Sequence, residues 1–139
     1  MPRPPSTQQT DGELEILRVL WASGPTSLSA LCDALRQERD VAASTAATML
    51  RVMSDKGLVR RTGSGRGATW SAAVSQEKTE RGMVRRMVER VFDGAADRLV
   101  AHLVEGGELS EEQLADLRTL LDERAQTAAR PRNRKGALR

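Results

Sequence analysis

The stretch ASTAATMLRVMSDKGLVRRTGSGRGATWSAA, residues 43–73, changes its hydrophobic period part-way along. Ala46, Met49, Leu50 and Met53 recur at i, i+3, i+4 and i+7, which predicts a helix over 43–56 with one apolar face. Gly57 stands where a chain commonly leaves a helix in the left-handed conformation that glycine adopts without steric cost. Beyond it the helical spacing is lost. Residues 58–62 read as a short strand and 68–73 as the returning strand of a hairpin, joined by Gly63-Ser64-Gly65-Arg66-Gly67.

Working towards the N-terminus, two further helices precede this stretch. Thr10 and Glu13 have the spacing of a capping box, and Leu14, Ile16, Leu17, Leu20 and Trp21 form a wide apolar stripe behind it. Ser23-Gly24-Pro25 stops that helix, Ser27 caps the next, and Leu28, Leu31 and Leu35 repeat at three and four residues. Residues 36–40 are a charged connector. Three helices followed by a two-stranded hairpin is the order of a winged helix-turn-helix. After residue 75 the chain reads as helical again, with Val84, Met87, Val88 and Val91 in register, a break at Asp93-Gly94, and a shorter helix holding Leu99, Val100 and Leu103. Gly106-Gly107 ends it, Ser110 and Gln113 make a second capping box, and Leu114, Leu117 and Leu121 line the last helix.

The expected fold is therefore mainly α with a small β-hairpin, a winged helix-turn-helix domain at 10–74 followed by a helical dimerisation domain at 75–123. The Pro-rich residues 1–9 are expected to be disordered. Residues 124–139 carry six Arg or Lys, no acid, and Pro131, and are expected to form a flexible basic tail.

The face of the 43–56 helix opposite its apolar stripe carries Ser44, Thr48, Arg51 and Asp55, with Thr45 beside them. Small hydroxyl residues at a helix start allow close approach to a major groove, and an arginine one turn later reaches base edges. Thr45, Thr48 and Arg51 are the expected base contacts, and Ser44, Lys56, Arg60, Arg61 and Arg66 the expected phosphate contacts. The charge balance agrees. Residues 44–70 hold those five basic side chains against Asp55 alone, whereas 105–123 hold seven acids against Arg118, within a net charge of +3. The alternative is a winged-helix protein–protein interaction module, whose third helix binds another protein. Such modules usually lose a basic wing, and this chain keeps one.

Other function classes find little support. Trp21, Trp70 and Phe92 are the only aromatic residues, too few for base-stacking platforms on single strands. The glycine-rich hairpin tip lacks a following GKS or GKT and a following helix, so a nucleotide site is not expected. Cys32 is the single cysteine and His102 the single histidine, so no metal site, cofactor or catalytic dyad is expected; Cys32, between core leucines, reads as a small buried hydrophobe. No run approaches the ~18 apolar residues of a membrane span, and the N-terminus does not read as a signal peptide. A cytoplasmic, non-enzymatic protein is expected.

Several of these segments resemble the penicillinase-repressor (BlaI/MecI/CopY) family. Residues 12–21, GELEILRVLW, look like its opening helix; 44–51, STAATMLR, like its recognition helix; 56–61, KGLVRR, like the lead into its wing; and 109–117, LSEEQLADL, like its final helix. The resemblance implies a transcriptional repressor that binds a palindromic operator on double-stranded DNA as a homodimer, through its C-terminal helices. Three short helices can hardly build a core alone, and Val84, Val88, Val91, Leu99, Leu103, Leu114, Leu117 and Leu121 need a partner that a second copy supplies. The chain also departs from the family. Ala47 cannot hydrogen-bond a base, so Thr45, Thr48 and Arg51 carry readout. Ala101-His102-Leu103-Val104 lacks the Asn-Phe pair cleaved in the penicillinase branch, and the cysteine pairs of the copper-responsive branch are missing. The signal that ends repression, an unidentified inducer or a sensor protease, is not specified by the residues.

Overall fold

In the computed structural model, residues 9–129 are described; the expected disorder at 1–9 falls almost wholly outside them. The order is α1 (Asp11–Ser23), α2 (Leu28–Leu35), α3 (Ala43–Asp55), β1 (Val59–Thr62), a 3-10 turn (Gly65–Gly67), β2 (Thr69–Ala72), α4 (Gln76–Arg90), α5 (Ala96–Glu105) and α6 (Glu111–Ala129). The chain divides into one compact unit ending at Val84 and a second beginning at Arg85.

In the first unit, α1 starts on the anticipated box: Thr10 Oγ1 accepts from Glu13 N at 3.1 Å, and Glu13 Oε1 accepts from Thr10 N at 3.0 Å. Two otherwise orphaned amides are satisfied reciprocally. Ser27 caps α2 by accepting from Ala30 N. The apolar stripes then meet as their periods require, with Ile16, Leu17 and Leu20 of α1, Leu31 and Leu35 of α2, and Leu50 and Met53 of α3 forming one buried cluster closed by Leu58 and Val59. Ala46 and Cys32 are buried with them, Cys32 as the small hydrophobe expected. A Cβ at Gly12 would stand 2.8 Å from Met49 Cε, the free end of a flexible side chain that can swing aside.

The hairpin pairs Val59 with Ala72, Arg60 with Ser71, Arg61 with Trp70 and Thr62 with Thr69. Gly57, at φ +81, turns the chain from α3 into β1. Thr26 adds a one-residue third strand: its N–H donates to Trp70 O at 2.9 Å and the Trp70 N–H returns to Thr26 O at 2.8 Å. Trp21 Nε1 donates to Val74 O at 2.9 Å, which ties the end of the hairpin to α1. Both contacts hold the wing to the helices by hydrogen bonds as well as burial.

In the second unit, Asp93 at φ +53 and Gly94 at φ +86 make the break between α4 and α5, with Gly94 N donating back to Val88 O at 2.8 Å. Phe92 lies 5.5 Å from the His102 ring and beneath the Arg98 guanidinium. The Ser110–Gln113 box opens α6. One expectation needs correction. The basic tail does not begin at 124, because α6 continues to Ala129. Residues 124–129 (RAQTAA) contain no glycine or proline to stop a helix, so the backbone bonds propagate through to Ala129. The remainder of that tail lies outside the described residues.

Candidate nucleic-acid interface

The third helix presents two chemically different faces. Ala46, Leu50 and Met53 are fully enclosed, while Ser44, Thr45, Ala47, Thr48 and Arg51 are exposed. The packing of three helices thus fixes which side of α3 points outward. Its N-terminus is also left open: Ala42 is the N-cap and supplies no side-chain hydrogen bond, and no acid occupies the first turn. The first-turn amides keep their donors and the positive end of the helix dipole for a ligand oxygen.

The wing supplies fixed cations beside that helix. Alternation along β1 puts Val59 and Arg61 on one face of the hairpin and Arg60 and Thr62 on the other. Arg61 and Arg66, with Ala47 of α3 and Ser27 and Ser29 at the start of α2, line a groove of about 600 Å³. Arg61 sits over the Trp70 ring, 5.7 Å from its centroid. Of the four salt bridges among the described residues, none involves Arg51, Arg60, Arg61 or Arg66, so these guanidinium groups carry no carboxylate that a phosphate would have to displace.

The structure therefore brings Ser44, Thr45, Thr48 and Arg51 together on one outward face, sets Arg61 and Arg66 against the same side, and turns Arg60 to the opposite face of the hairpin. Lys56 departs from expectation. Its Nζ donates to both carboxylate oxygens of Glu13 at 3.0 Å, and the two side chains are only 12% and 6% exposed. It is a strut between α3 and α1, and it is withdrawn from the phosphate contacts. A partner 43 residues away leaves no local trace in sequence. Ser27, Ser29 and Trp70 also line the groove and were not among the expected contacts. The Arg61–Trp70 pairing was in principle readable, since closing the hairpin around the glycine-rich tip sets those two opposite each other.

The second unit carries a different surface. Neither α5 nor α6 contains a buried residue. Val91, Leu103, Leu114 and Leu121 are exposed, Val91 and Leu121 by 66% and 63%, while Val88, Leu99 and Leu117 are half-buried; Val84, the last residue of the first unit, is exposed too. Met87, Val100, Val104 and Leu120 add to the exposed apolar area. No helix of the described residues is long and apolar enough to cross a membrane.

Comparison with known proteins gives this arrangement its context. An uncharacterised 16.5 kDa protein of the ptsI 3' region in Latilactobacillus sakei is 26% identical over 86% of this chain and 82% of its own length. The methicillin resistance regulatory protein MecI of Mammaliicoccus sciuri is 20% identical over 83% of this chain and 94% of its own. The solution structure of Bacillus licheniformis BlaI, in monomeric form in complex with the blaP half-operator, matches with a TM-score of 0.44 and 23% identity, covering 50% of this chain and 85% of that one. The penicillinase repressor family matches residues 9–123. The chain belongs to the penicillinase repressor family and is a DNA-binding transcriptional repressor, not an enzyme.

Proposed function

We propose that the chain represses transcription as a homodimer, each copy placing the N-terminal half of α3 in the major groove of one half of a palindromic operator. The observation that carries this reading is the exposed face of Ser44, Thr45, Thr48 and Arg51 on a helix whose opposite face is locked in the core. Thr45, Thr48 and Arg51 read base edges; Ser44 and the open amides of the first turn meet the phosphate at the groove entrance; Arg61 and Arg66 hold the neighbouring backbone. Arg60, on the outer face of the wing, acts as a peripheral cation.

The second unit supports the dimer. Val88 of α4 and Val91 just beyond it, Leu99 and Leu103 of α5, and Leu114, Leu117 and Leu121 of α6, with Val84 at the end of the first unit, are apolar side chains left wholly or partly in water by the single chain. Monomeric soluble proteins rarely tolerate such patches. A second copy covers them under two-fold symmetry, and the same symmetry generates a palindromic site. The relative named for methicillin resistance regulation supports a regulatory role, and the proposed DNA partner supports a cytoplasmic setting.

The test is a footprint on the DNA upstream of the protein's own gene, with random duplex as competitor. Two protected half-sites about one helical turn apart are expected. Sequence-indifferent, salt-sensitive binding would overturn the operator reading, and no binding would favour a protein partner for α3.

A further inference from the structure

Resting on that DNA-binding reading, we infer that Trp70 is a positioning residue for DNA: its indole face holds the Arg61 guanidinium over the groove between α3 and the wing, and one phosphodiester of the bound strand seats there.

Three observations converge. First, Trp70 directs both its backbone groups to Thr26, so it faces Arg61 across a non-hydrogen-bonded position of the hairpin, where opposed side chains come closest. Second, the guanidinium lies 5.7 Å from the ring centroid, within cation–π range. Contact through the ring face consumes none of the five N–H donors of arginine, which stay available to phosphate oxygens. Third, Arg61 and Trp70 line the groove together with Arg66, Ala47, Ser27 and Ser29, so the held cation is aimed at space between the recognition helix and the wing. Trp70 is itself anchored, packed against the core and bonded to Thr26. A long arginine side chain otherwise loses rotamer freedom on binding, and fixing it beforehand removes part of that cost.

A purely structural tryptophan would affect DNA binding whatever residue stood at 61, and a double-mutant cycle separates the two roles. The full chain, R61A, W70L and the double variant are titrated with a labelled duplex of scrambled sequence over a range of salt concentrations. All four are held well below their melting temperatures, measured by circular dichroism. W70L is expected to weaken binding about two- to five-fold in the wild-type background and to have no further effect on R61A. R61A should lower the slope of log K against log salt by about 0.9, the loss of one phosphate contact. Equal losses from W70L in both backgrounds overturn the positioning role, and an unchanged slope in R61A overturns the phosphate seat. Should W70L fail to fold, W70F replaces it in the same cycle, with smaller coupling expected because phenylalanine is the weaker cation–π partner. A wild-type chain that ignores duplex DNA at low salt overturns the repressor reading itself, a result distinct from either of the others.

Discussion

Lys56 Nζ lies 3.0 Å from each carboxylate oxygen of Glu13 and so ties the end of α3 to the first turn of α1. The same carboxylate accepts from Thr10 N, so one side chain caps α1 and anchors α3. Removing one partner of a pair this enclosed leaves a charge without water or counter-charge, at a typical cost of 3–5 kcal/mol. Lys56→Met is therefore expected to lower stability in urea by about 3 kcal/mol while leaving the salt slope of DNA binding at the wild-type value. A stable variant whose slope falls by about one phosphate would return Lys56 to the DNA backbone.

Arg51 stands one turn beyond Thr48 on the outward face of α3, and no salt bridge among the described residues restrains it. A base contact of this kind is worth about 1–3 kcal/mol and carries sequence information. Arg51→Ala should weaken operator binding by that amount and relax preference at one base pair in each half-site. Titration of single-base operator variants reads both effects. Equal weakening on operator and scrambled duplex would move Arg51 to the phosphates.

Arg66 belongs to the glycine-rich tip and lines the groove, where its proposed partner is a phosphate. Arg66→Ala should lower affinity for every duplex alike and reduce the slope of log K against log salt by about 0.9 per chain. A loss confined to the operator would instead place the tip in a groove as a reader of sequence or groove width.

Much of this was legible in the sequence because the deciding features are local. The Thr10–Glu13 and Ser110–Gln113 boxes, the Ser27 cap, and the change of period after Gly57 depend on residues a few positions apart, and the structure realises each of them. The α3 stripe of Ala46, Leu50 and Met53 likewise fixes the outward face by elimination. What escaped was decided at long range. Lys56 looked like one more cation before a basic wing, and only the packing of α1 against α3 gives it Glu13. Arg60 and Arg61 were equivalent as neighbours in sequence, and strand alternation separates them, sending one to the groove and the other away. The last helix outran its expected end because no residue between 124 and 129 opposes it, and charge alone does not break a helix.

Leu121 gives the sharpest test of the partner copy. In the single chain it is 63% exposed, and a polar substitution at such a site ordinarily changes stability by no more than about 0.5 kcal/mol. If a second chain covers it, Leu121→Asp buries a carboxylate against its own symmetry mate, beside the acids Asp122 and Glu123. Sedimentation should then show the wild type as a dimer and the variant as a folded monomer. The variant should keep its intrinsic affinity for an isolated half-site and lose about 10²- to 10⁴-fold on the complete operator, because the second half-site no longer binds as an intramolecular event. A variant that remains dimeric and holds the full operator as tightly as wild type would place the dimer contact on other helices than α6.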